Sequence, residues 1–157
     1  VQKLLVPGCR IEIDLWGILP NTPKKEIHLQ NNEQSSFCHG LIVNDTLYAS
    51  GQIASDHKTP LIQIAHQDPA FPFYGSEIQK QTRFVMNNFQ KLYQQGGFDL
   101  ADTVKAQVFL SDLNDFYYFD QIWKEYFPSP PPRTTLEVGK FLVPGCKVQV
   151  DLTAAKN

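Results

Sequence analysis

The sequence predicts one α+β domain in which a sheet carries two helices on one face, in the order β-β-α-β-α-β-β. Three observations lead there. Two long segments space their apolar residues by three and four, the period of a helix packed on one side. Shorter segments between and after them alternate apolar and polar residues, the period of a half-buried strand. The chain of 157 residues, with 42% hydrophobic and 19% charged residues, is long enough for one well-cored domain and short for two.

The elements follow in order. Residues 41–43 and 47–50 flank Asn44-Asp45-Thr46, a short turn of the kind that joins antiparallel strands, and so form a hairpin. Residues 56–75 contain Pro60, Pro69 and Pro72 and read as a long loop, with room for a short strand at 61–64. Ser76 and Gln79 have the spacing of a capping box. The helix they open carries Ile78, Thr82, Val85, Phe89 and Leu92 on one face and stops at Gly96-Gly97. Val104, Ala106, Val108 and Leu110 alternate as a strand. A second helix starts near Asp115, with Phe116, Phe119, Trp123 and Tyr126 as its core stripe, and Pro128 forbids its continuation. Beyond Pro130-Pro131-Pro132, residues 133–138 and 147–154 supply two more strands. Val108-Phe109-Leu110 is apolar on both sides, so a partner subunit is expected over the face the helices leave bare.

The chain repeats itself at its ends. Leu5-Val-Pro-Gly-Cys-Arg-Ile-Glu-Ile-Asp-Leu15 matches Leu142-Val-Pro-Gly-Cys-Lys-Val-Gln-Val-Asp-Leu152, each a Pro-Gly turn entering an alternating strand. No shorter period joins the copies, which excludes a solenoid. With Val1 as the first residue, the expected organisation is a strand over 1–18 resembling the last strand of a preceding homologous domain, a polar linker over 19–36, and a whole domain over 37–157. The strand over 1–18 should pair as an extra edge strand, on this subunit or on a neighbour, because Ile11, Ile13 and Leu15 would otherwise be an exposed apolar row.

Charge and cysteine usage exclude several functions. No apolar run approaches the roughly 20 residues of a transmembrane helix. Fourteen basic against 16 acidic residues leave a net charge of -2, with no basic window for nucleic acid or an anionic membrane. Cys9, Cys38 and Cys146 are odd in number and lack a C-x-x-C spacing, so they read as small buried residues in a reducing, cytoplasmic setting. His28, His39, His57 and His66 read as surface or loop residues and hold no metal spacing. Neither a nucleophile elbow nor a glycine-rich phosphate loop occurs. Arg133 stands out. Three prolines stiffen the backbone before it and a strand follows, a placement suited to gripping a carboxylate.

Four ordered stretches resemble the RidA (YjgF) family over about residues 37–155: Leu47-Tyr-Ala-Ser-Gly-Gln-Ile53, the helix text from Gln81-Thr-Arg through Asn88, Val104 through Phe116, and Pro132-Arg-Thr-Thr-Leu-Glu-Val138. The resemblance implies a chorismate-mutase-like subunit assembled as a homotrimer, with ligand sites in the clefts between subunits. It also implies hydrolysis of reactive enamines and imines, such as 2-aminoacrylate, to a 2-keto acid and ammonia, with no cofactor and no metal. Carried over by position, Arg133 binds the substrate carboxylate, Gly51 and the backbone of Thr135 line the same pocket, and Phe109 and Asn88 form or support its wall. Two positions depart from the pattern. Phe37 stands where the family has a tyrosine, and Gln149 stands where the family has the glutamate that helps activate water. An amide does not accept a proton at neutral pH, and general-base help is worth roughly a hundredfold to ten-thousandfold. In the first copy of the repeat, Glu12 holds the position of Gln149. Two readings result: a 2-iminobutanoate/2-iminopropanoate-type deaminase, or a non-catalytic ligand-binding and oligomerisation module of a larger tandem enzyme, for example of the diphthamide synthetase type. An RNA-cleaving role, as some family members are labelled, would need the basic or stacking surface that this composition lacks.

Overall fold

A short strand, β1 (Lys24–Ile27), emerges from the segment read as a polar linker and pairs antiparallel with β2 (Gly40–Val43). Three of its four side chains are charged or exposed and Ile27 alone is buried, so no alternation marks it in the sequence. The computed structural model describes residues 13, 15–29, 37–55, 70 and 75–156. The expected strand at 61–64, nearly all of the 56–75 loop, Cys9, His57, His66 and most of the first repeat copy lie outside the described residues. Of the expected strand over 1–18, Ile13 and residues 15–18 belong to no strand. Ile13, Leu15 and Trp16 are exposed, with the Trp16 ring 5.8 Å from that of Tyr48. The sheet edge beside β2 is taken by Lys24–Ile27.

The predicted hairpin is present. Asn44 adopts φ 52, a left-handed conformation its short polar side chain tolerates, and connects β2 to β3 (Thr46–Ala49) with Val43 opposite Thr46. The remaining strands and α-helices among the described residues are β4 (Gln52–Ile53), α1 (Glu77–Gly96), β5 (Thr103–Leu110), α2 (Phe116–Tyr126), β6 (Arg133–Glu137) and β7 (Val148–Ala155). Strand order is β1-β2-β3-β7-β5-β6, with β4 also pairing β7, and only β5–β6 is parallel. Both helices face the same side, which is the predicted architecture.

α1 forms where the capping signals place it. The Gln79 side chain accepts from the Ser76 backbone N–H at 2.9 Å, and Gly97 at φ 77 ends the helix in a left-handed turn. Ile78, Thr82, Val85, Phe89 and Leu92 are all buried. Ile78, Val85, Phe89 and Leu92 pack with Ala106, Val108 and Leu110 of β5 and Val148, Val150 and Leu152 of β7 in one core. Burial of this kind stabilises by about 25 cal/mol per Å² of apolar surface. Gln81, fully buried, ties the helix to the start of β7: its Nε2 donates to Gly145 O at 2.9 Å and its Oε1 accepts from Lys147 N at 2.8 Å.

Two parts of the predicted core shift. A register irregularity between Thr103 and Lys105 buries Thr103 and turns Val104 out, 50% exposed. On α2 the buried residues are Phe119, Ile122 and Trp123, while Phe116 is exposed and Tyr126 only partly covered. Phe116 opens the helix and lies against a cation, not in the core. His39, expected at the surface, is buried and accepts from Leu29 N at 3.3 Å. Cys146 is buried and Cys38 half-buried. Among the described residues no helix is long and apolar enough to cross a membrane.

Candidate active site

β6 is an edge strand, and its hydrogen bonds decide what that edge offers. Ala106 N–H donates to Pro132 O at 2.9 Å and Val138 N–H donates to Leu110 O at 2.8 Å. In a parallel ladder this phase directs the even-numbered residues 132–138 toward β5, and turns the N–H and C=O of Arg133, Thr135 and Glu137 to the open edge. Among the described residues nothing pairs with the Thr135 backbone on that edge, so its N–H and C=O face outward from the sheet.

The Arg133 side chain lies on the helical side of the sheet, since Arg133 is level with the buried Ala106. Its guanidinium carbon sits 5.3, 5.4 and 5.0 Å from the ring centres of Phe116, Phe119 and Trp123. Nη2 donates to Asp120 Oδ1 at 2.9 Å. Nη1 is buried and, among the described residues, has no hydrogen-bond partner; neither has Trp123 Nε1 in the same wall. Burial alone would raise the Asp120 carboxyl, but hydrogen bonds from Lys124 and Arg133 hold it below its ordinary value. Asp120, Trp123, Lys124 and Arg133, with Phe127, Pro128, Pro130 and Pro131, line a cleft of about 590 Å³ between α2 and the proline run.

The opposite face of the sheet carries a second cleft, of about 790 Å³, lined by Phe109, Gln149 and residues 138–142. Phe109 and Gln149 are cross-strand partners, so β5 and β7 place them side by side. Gln149 Nε2 donates to Asp151 Oδ1 at 3.1 Å. Gly51 lies directly beneath the pair: a Cβ there would come within 2.5 Å of Asp151 Oδ1 and 2.7 Å of Gln149 Nε2. The absence of a side chain at Gly51 is what admits both polar groups. Burial pushes the Asp151 carboxyl above the ordinary aspartate value, against smaller opposing effects of the Gln149 hydrogen bond and the Lys105 charge.

Of the residues singled out in the sequence, Gly51, Phe109 and Gln149 thus meet on one face, while Arg133 and Thr135 lie on β6 at the edge, with Arg133 turned toward α2. Asn88 is half-buried on α1 and Phe37 is exposed with its ring 5.6 Å from His39; neither lines either cleft. Asp120 and Asp151 were not singled out, although each carries a legible signal. Asp151 stands two residues after Gln149 and must share its face of an alternating strand. Asp120 is three residues before Trp123 and four after Phe116, on the helix face that Arg133 meets.

A mixed sheet with two helices on one face is an arrangement this chain shares with solved structures of the Rid fold. The chain belongs to the RidA (YjgF) family: residues 30–156 match the family described as endoribonuclease L-PSP. A RutC family protein of Sulfurisphaera tokodaii is 36% identical over 105 residues, covering 66% of this chain and 75% of that protein. The human 2-iminobutanoate/2-iminopropanoate deaminase is 25% identical over 122 residues, covering 77% of this chain and 80% of that protein. The Rid family protein YyfA of Yersinia pestis superposes with a TM-score of 0.69 at 27% identity, covering 85% of this chain and all of YyfA (100%). Yeast Mmf1 superposes with a TM-score of 0.70 at 20% identity, covering 86% of this chain and 100% of its own, a likeness of fold.

Proposed function

We propose that the chain hydrolyses reactive imine and enamine intermediates of the 2-aminoacrylate type to a 2-keto acid and ammonia. The observation that carries this reading is Arg133, a guanidinium with one nitrogen bonded to Asp120 and the other buried without a protein partner among the described residues. Such a cation has donors left for a carboxylate, and the outward N–H of Thr135 lies two residues away on the same edge. The relation to the human deaminase supports the same chemistry. Because Arg133 and Gln149 lie on opposite sides of one sheet, the reading includes a homotrimer in which the β6 edge of one copy meets the Gln149 face of the next. Freshly generated 2-aminoacrylate should give pyruvate faster with the protein than in buffer, and Arg133→Ala should remove the acceleration. The mass in solution should be near three times 17.9 kDa. No acceleration over buffer rejects the activity, and a monomer rejects the shared cleft.

Phe37 and Gln149 favour a second reading, a binding and assembly module in a larger tandem protein, since neither side chain transfers a proton at neutral pH. On that reading the protein binds pyruvate without turnover, and Phe37→Tyr combined with Gln149→Glu creates activity.

A further inference from the structure

We propose that Asp151 is the acid–base group of the Gln149 cleft and that Gln149 is its positioning residue. This rests on the imine-hydrolysis reading. Three features of the structure support the assignment. Asp151 is the carboxylate on the same face of β7 as Gln149, two residues along an alternating strand, and is half-buried like it. The Gln149 amide donates to Asp151 at 3.1 Å. An ionised carboxylate only accepts, so while Asp151 is ionised the NH₂ end of the amide faces it, which turns the carbonyl Oε1 away from it as an acceptor. Both groups pack directly over Gly51, where any Cβ would collide with them. A glutamine held in this way orders a water or an imine N–H by accepting from it, while the proton itself passes to the carboxylate.

The chemistry balances on that arrangement. Water adds its oxygen to the carbon of the protonated imine, the C=N electron pair moves onto nitrogen, and a water proton passes to Asp151. Asp151 then returns that proton to nitrogen. As the C–N bond breaks, the carbinol oxygen re-forms C=O, and its proton is taken up by the departing ammonia as ammonium. The groups facing Asp151 from the neighbouring strands are Lys105 and Gln107 of β5 and Tyr48 of β3, opposite Thr153. Among the described residues the Lys105 charge favours the carboxylate, and burial opposes it.

The test has two arms on the full chain. In the first, the aspartate carboxyls are labelled with carbon-13 and titrated by NMR, Asp151→Asn or Asp151→Glu assigning the resonance. Asp151 should titrate above the ordinary aspartate range and move further upward when pyruvate, an anion, is added. Pyruvate that binds and leaves this titration unmoved overturns the proposal. In the second, kcat/KM for 2-aminoacrylate is followed against pH. The wild type should rise as Asp151 ionises, Asp151→Asn should lose about a hundredfold together with that limb, and Gln149→Ala should lower kcat while keeping it. An Asp151→Asn variant that melts as the wild type and retains its rate and profile also overturns the proposal. A wild type without activity rejects the hydrolysis reading alone, and the pyruvate titration then decides the place of Asp151.

Discussion

Arg133 and Asp120 form an ion pair of 2.9 Å between the first residue of β6 and the middle of α2, with both side chains more than four-fifths covered. The pair fixes the guanidinium against three aromatic rings and ties the edge strand to the helix layer. Asp120→Ala leaves that guanidinium without its acceptor and should cost about 1–3 kcal/mol in urea unfolding. The carboxyl is held below its ordinary value of 3.8, so its contribution is present above that value and is lost as pH falls through the lower folded one. Asp120→Asn should flatten the acid limb of stability relative to the wild type.

Gly51→Ala places a methyl where Asp151 Oδ1 and Gln149 Nε2 now lie. Both are ends of half-buried side chains that can rotate away, so the melting temperature should fall little, by an amount corresponding to about 1 kcal/mol or less. Turnover of 2-aminoacrylate should fall at least as far as in Gln149→Ala. Unchanged turnover would separate this pair from the chemistry.

Gln81→Leu removes both bonds that join α1 to the turn before β7. Gly145 O and Lys147 N then lose their partners, at a cost of about 1–3 kcal/mol each. Chemical unfolding should show the loss, and amide exchange at Lys147 should accelerate more than exchange in the middle of β5.

The Tyr93 hydroxyl lies 3.1 Å from Thr103 Oγ1 in the core, and burial pushes its pKa up to about 12 from 10.0. A raised folded value means the stabilisation is complete below the unfolded value and is lost as pH climbs from 10.0 toward 12. The shift corresponds to about 2–3 kcal/mol. Tyr93→Phe should therefore unfold less steeply across that alkaline window, measured by denaturation at a series of pH values.

The architecture was legible because its signals are local. The capping box at Ser76, the face from Ile78 to Leu92 and the alternation of Val148, Val150 and Leu152 each express the period of one element packed on one core. β1 escaped because an edge strand needs only one buried side chain, and its charged residues are what keeps such an edge from pairing with other chains. Val104 was misplaced because a register irregularity does not announce itself in a run of alternating residues. Gly51, Phe109 and Gln149 were singled out through their motifs, whereas Asp120 and Asp151 gain meaning only through what tertiary packing sets beside them.

The sequence by itself determined the two helices, most of the strands, the buried faces and the family, because hydrophobic period, caps and motif spacing are properties of neighbouring residues. Only the tertiary structure decided which side of the sheet each polar residue serves. Strand order and register set Gln149 beside Phe109, Asp151 and Gly51, and turned Arg133 away toward Asp120 and the rings of α2. Pairing between strands far apart in the chain is chosen by collective packing of the core, and no local pattern carries that choice.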